Sequence, residues 1–183
     1  MKRLALAAAM CLGLAGSYSE YVSASRKFKL IESERLHRSH VVLTSGELNA
    51  WVKQEIAETF PQGVRESRLV LATGGATGSL LIDFGKVRRA QGHPPGWIMS
   101  KLLDGERPVE VTVHIRSGGG RATVDVDSVK VSGLVIEGRV LDFLIHYYLL
   151  PNYPSAKVGE PFELAHGIDR LDVKPGAVDV VIR

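Results

Sequence analysis

The feature that most restricts this chain is a change of period. Between Thr44 and Thr59 apolar residues recur at helical spacing, whereas from Val64 onward they recur mostly at every second position. Thr44 and Glu47 form an S/T-x-x-E capping box, in which the threonine oxygen takes an orphan helix N–H and the glutamate reaches back to the cap residue. Leu48, Trp51, Val52 and Ile56 follow at i, i+3, i+4 and i+8 as one stripe, while Lys53, Gln54, Glu55 and Glu58 face elsewhere. Pro61 and Gly63 stop the pattern, so the spacing predicts an amphipathic helix over 44–59.

The remainder reads as strands and turns. "VRESRLVLA" and "TGSLLIDFGKVRRA" flank the glycine-rich "TGGATG" as a hairpin, and "RPVEVTVHIRS" places Val109, Val111, Val113 and Ile115 on one face with polar residues on the other. Gly118, Gly119 and Gly120 turn the chain into "RATVDVDSVKVSG". There Val129 and Val131 fall on the opposite parity from Val126, which predicts a bulge or bend near Ser128. A second helix is expected from about Arg139 to Leu150, with Val140, Leu141, Leu144, Ile145 and Tyr148 on its apolar side. Lys174-Pro175-Gly176-Ala177 suits a type II turn and makes the last element a hairpin. "QGHPPG" reads as a loop, "WIMSKLLDG" as a short helix or turn, and Lys27–Ile31 as a short strand.

The N-terminus carries a different signal. Lys2 and Arg3 precede an apolar run from Leu4 to about Ala15 and then small residues, the three-part pattern of a secretory signal peptide. The run is shorter than the ~20 residues of a membrane span. Residues 1–17 are therefore expected to be a cleaved signal, with an alternative end at 24, followed by a basic lead-in segment over 18–40 and one domain over 41–183. The mature chain would be periplasmic or secreted. The excess of 23 Lys and Arg over 20 Asp and Glu falls from three to one without Lys2 and Arg3, so net charge does not point to nucleic acid. The basic cluster in "SRKFKLIESERLHRSH" leaves peripheral contact with anionic lipid open. Cys11 is the only cysteine and lies in the apolar run, which excludes disulfides and thiolate chemistry from the mature chain.

Catalytic signatures are weak. "TGGATGSLL" has no lysine after its last glycine, and "SGGGRATVDV" leads into a strand, so neither offers a helix N-terminus to a phosphate. The six histidines are scattered, and no third ligand completes the His37/His40 pair, so no metal and no cofactor is expected. Asp125 and Asp127 share a strand face without a further acidic ladder. Ser79, Ser117 and Ser132 lack the Gly-x-Ser-x-Gly context of a nucleophile elbow. Glu137, Asp142 and His146 are the set to inspect for a hydrolytic cleft, with Asp142 and His146 at i, i+4.

What remains is the apolar inventory. Two amphipathic helices and at least six alternating strands describe an α+β fold, a strongly curved antiparallel sheet wrapped around one long amphipathic helix with a second helix before the C-terminal hairpin. Where the curved sheet stands off its helices, a groove for an apolar molecule is expected, lined by Leu48, Trp51, Val52, Ile56, Leu141, Leu144, Ile145 and Tyr148. Trp97, in "GHPPGWIM", is placed at its rim. The alternative is an envelope structural or interaction module with a filled core and an open sheet edge.

Leu43, Thr44, Glu47, Leu48 and Asn49 at the head of the first helix, and Leu164, Gly167, Ile168, Leu171 and Val173 near the end, give the chain an outline that resembles small bacterial envelope lipid-binding proteins of the tubular lipid-binding (TULIP-like) type, such as the YceB-like and YpmS-like proteins. It departs from them where Ala165 and His166 replace a proline before the last Gly-Ile, and where Cys11 lacks a lipoprotein signal. The resemblance implies a helix within a rolled sheet, a lengthwise apolar groove that binds or carries lipid, and no catalysis.

Overall fold

The computed structural model describes residues 2–90, 92, 105–151 and 157–183, with side chains from residue 17 onward. The loop and short helix expected between residues 93 and 104, Trp97 included, lie outside the described residues. The chain is α+β, with antiparallel sheets that do not close into a barrel.

Helix α1 runs over Lys2–Glu32. It replaces the short strand expected at Lys27–Ile31 and takes in the first part of the basic lead-in segment expected over 18–40. The reason is a stripe that the cations hide. Ala24, Phe28 and Ile31 recur at i, i+4 and i+7, while Arg26, Lys27 and Lys29 interrupt them in sequence but not in space. Ala24 is fully buried and Ile31 is 5% exposed, and Phe28 packs its ring against Trp51 with centroids 4.8 Å apart.

Strand β1 (His40–Thr44) buries Val41 and Leu43 and ends on the residue that caps helix α2 (Ser45–Thr59). The capping box is formed as the sequence indicates, with Glu47 N–H donating to Thr44 Oγ1 and Thr44 N–H donating to Glu47 Oε2. Strands β2 (Val64–Ala72) and β3 (Gly75–Asp83) form the first hairpin. The expected continuation of β3 through "FGKVRRA" is instead a short helix, α3 (Phe84–Ala90). Asp83 switches the chain from strand to helix by accepting the Lys86 N–H at 2.9 Å, and Phe84 and Val87, three apart, are both buried.

The long strands β4 (Glu106–Gly118) and β5 (Arg121–Val131) follow, joined across Gly119 and Gly120, whose φ values of 61° and 78° are the left-handed conformation of a tight hairpin turn. Strand β6 (Leu134–Val135) leads to helix α4 (Gly138–Leu144), which widens into a π-helical turn over Ile145–Leu149. The single helix expected over this stretch is thus two segments, and Val140, expected on its apolar side, is 55% exposed. Strands β7 (Phe162–Glu163), β8 (Ile168–Lys174) and β9 (Ala177–Ile182) complete the chain, with Gly176 at φ 89° in the β8–β9 turn.

Two sheets result. The smaller has the order β1-β9-β8, and the larger the order β2-β3-β4-β5-β6, with β7 paired to the start of β5. They meet where the long hairpins turn. Gly74 N–H donates to Val173 O at 3.0 Å, and Ser117 Oγ accepts from Leu171 N–H at 2.8 Å while donating to Leu171 O at 3.0 Å. The larger sheet has one polar face, carrying Glu110 with Lys130 and Arg116 with Asp125, and one apolar face. One end of the apolar face, around Leu71, Ala76 and Val113, is sealed by Val173, Val178 and Leu48 of α2. Toward the other end, Val109 and Val131 lie under Phe84 and the second helical segment.

Candidate functional site

The floor of the site is built by a bulge. In the β4–β5 ladder Val113 faces Val126, but Thr112 faces Ser128, so Asp127 is the extra residue. Were residues 126–129 all paired in a regular ladder, Val126 and Val129, three apart, would point to opposite sides of the sheet. With the bulge, both join Val109 and Val111 on the apolar face. The change of parity in the sequence is this bulge.

The roof comes from two directions. Leu141, Leu144, Ile145, Tyr148 and Leu149 descend from α4 and its π-helical turn, in which Leu150 N–H bonds to Ile145 O at 3.0 Å. Ile56 and Phe60 enter from the end of α2, and Phe84 and Val87 from α3. Between roof and floor runs an open groove of about 300 Å³ whose lining among the described residues is apolar apart from the Tyr148 phenol. Phe84 meets Tyr148 edge to face, with centroids 5.0 Å apart. Burial pushes the Tyr148 phenol up, against the downward pull of the nearby Arg88 charge. A π-helical turn is a rare element that most often marks a functional segment.

A second, more polar recess of about 690 Å³ adjoins the groove and shares Phe60 and Val87 with it. Arg88 and His146 line it opposite Gln62 and Glu58. The Arg88 guanidinium lies over the Tyr147 ring, 5.2 Å from its centroid, and Nη1 donates to Tyr147 O at 3.4 Å. Gln54 Nε2 donates to Glu58 at 2.6 Å, one turn along α2.

The structure therefore brings together Ile56, Leu141, Leu144, Ile145 and Tyr148 of the residues the sequence singled out. It sends the others elsewhere. Leu48 packs into the core between the two sheets, Trp51 lies against Phe28 of α1, and Val52 is half-buried away from the groove lining. The α2 stripe serves three neighbours, the core between the sheets through Leu48, α1 through Trp51, and the groove only at its end through Ile56. Sequence reasoning missed the floor, Leu80 and Ile82 of β3 with the four valines of β4 and β5. Their signal was present as the inward parity of the strands.

Asp142 and His146 are both exposed, His146 lining the polar recess, and Glu137 precedes the helical segment without a side-chain cap bond. Among the described residues no three His, Cys, Asp or Glu side chains converge as a metal site. No helix among the described residues is long and apolar enough to cross a membrane. Comparison with protein-family models, curated proteins and solved structures returns no match.

Proposed function

We propose that the protein binds a lipid-like, single-chain apolar ligand in the groove between the β3–β5 floor and the π-helical roof, without catalysing a reaction. The observation that carries this reading is the middle of the apolar sheet face, which stays open among the described residues while the parts beside it are packed. Exposed apolar surface costs about 25 cal/mol per Å², so a continuous strip of it is a standing invitation to an apolar partner.

Size sets what fits. At about 30 Å³ for a methylene-sized group, roughly the share of one water in the liquid, the space takes a chain of about ten carbons. Each methylene leaving water contributes about 0.8 kcal/mol, so the gross gain of about 8 kcal/mol corresponds to micromolar affinity before association costs. A two-chain lipid would leave one chain outside.

In this reading the chain is exported, periplasmic or secreted, and the curved part of the larger sheet that embraces the end of α2 is the groove wall. Removal of residues 1–17 would leave in place the α1–α2 contacts of Ser23, Lys27 and Phe28. A cut after Ala24 would take away that buried residue and Ser23, which donates to Glu47 at 2.5 Å.

An uncharged fluorescent probe, N-phenyl-1-naphthylamine, tests the groove. Saturable binding to one site that is lost in Val111→Phe, a variant that fills the space, is the expected result. Absence of saturable binding, together with lipid-free protein from the native host, would instead favour the packed interaction module.

A further inference from the structure

The polar recess beside the groove has a composition that the apolar reading leaves unused. It opens from the same wall, through Phe60 and Val87, and presents a guanidinium and an imidazole on the side of the helical roof. We infer that the groove's ligand carries an anionic head, a carboxylate or phosphate monoester, seated against Arg88 and His146 with its chain running under Tyr148. This inference rests on the groove being a ligand site.

Two features select that head over a neutral one. Arg88 is half-buried and aligned by the rings of Tyr147 and Tyr148, at 5.2 and 6.0 Å from the centroids, so its planar fork is pre-organised rather than waving in solvent. A guanidinium bordering low-dielectric surface interacts with an anion more strongly than an exposed one does. Glu58, which accepts a hydrogen bond from Gln54 along its own helix, lines the recess with Gln62 and His146. Arg88 and Val87 are consecutive residues of α3, one lining the recess and the other lining both spaces.

The experiment is displacement of N-phenyl-1-naphthylamine from the purified chain by decanoate, decyl phosphate and decanol. The ratio of decanol to decanoate needed for half-displacement is read within each protein. In the unaltered protein both anions are expected to act at about tenfold lower concentration than decanol, the equivalent of one charge-assisted contact. Whichever anion acts at the lower concentration names the head. In Arg88→Gln the ratio falls toward one, whereas Arg88→Lys keeps most of it. Arg88→Met, which retains the aliphatic stem over the rings, carries the same expectation should Arg88→Gln fail to fold. A ratio near one in the unaltered protein, or a ratio retained in both Arg88→Gln and Arg88→Met, overturns the head assignment while the groove reading stands. Failure of the probe and of all three compounds to bind overturns both.

Discussion

Lys27 and Glu47 join the first two helices through the same carboxylate that caps the second. Lys27 Nζ lies 2.7 Å from each Glu47 oxygen and also donates to Val42 O at 2.6 Å, while Ser23 Oγ adds a further bond to the carboxylate. A local capping device has thereby become a tertiary clasp. Burial alone would raise the Glu47 pKa, but hydrogen bonds from Lys27, Ser23 and Thr44 N–H, with the Lys27 charge, outweigh it and hold it at about 2.

The clasp makes stability pH-dependent in a definite direction. The folded carboxylate binds its proton less tightly than the unfolded one, whose value is 4.5, so the contribution is fully present above about pH 4.5 and disappears as pH falls toward 2. The linked free energy is about 3 kcal/mol. Urea midpoints measured between pH 5 and 2.5 should fall steeply for the unaltered chain, and Glu47→Gln should be less stable at pH 7 by about 2–3 kcal/mol with a flatter acid profile. Equal acid slopes in the two proteins would show that Glu47 is not the linked group.

Asn49 does similar work two residues later. Its amide Nδ2 donates to Leu69 O and Ser45 O, each at 2.8 Å, and its Oδ1 accepts Leu69 N–H at 2.7 Å, so a side chain pairs with the outer edge of β2 as a strand would. Asn49→Ala should cost about 1–3 kcal/mol in denaturant unfolding, and Asn49→Asp more at neutral pH, since a carboxylate would face two carbonyl oxygens. If aspartate proves the milder change, the amide orientation is wrong.

Asp127 is an insertion that the β4–β5 ladder accommodates. It is exposed in the bulge, so Asp127→Ala should change stability by no more than about 0.5 kcal/mol. Deleting the residue should cost less than about 2 kcal/mol, because Val126, Ser128 and Val129 would then alternate as in a regular strand and Val129 and Val131, 7% and 8% exposed, would keep facing the core. Loss of the folded state on deletion would contradict the reading of Asp127 as the extra residue.

The parts of the fold visible in the sequence are those in which local chemistry and tertiary position agree. Thr44 and Glu47 cap where the capping box says, Gly176 takes the positive φ its turn requires, and the parity slip after Val126 is a real bulge. Two errors share one cause. Phe28 and Ile31 lie among cations, and Phe84 and Val87 lie after a strand-like run, so in each place a narrow helical stripe was masked by the polar and charged residues between its members. The site was legible in halves. The helical roof follows from the spacing of Leu141, Leu144 and Tyr148, but no periodicity in α2 reveals that Leu48 and Trp51 serve the core and α1 while Ile56 alone reaches the groove. That division depends on where α1 lies, which is a tertiary fact.

The most direct test of the groove is a titration of methyl-labelled protein with decanol, followed by two-dimensional methyl NMR. Shifts should concentrate at Ile56, Leu80, Ile82, Leu144, Ile145 and Leu149, which line the groove, and spare Ile31, Leu43 and Leu71, which lie in the sealed cores. Shifts centred on the sealed cores, or no shifts at saturating decanol, would contradict the account.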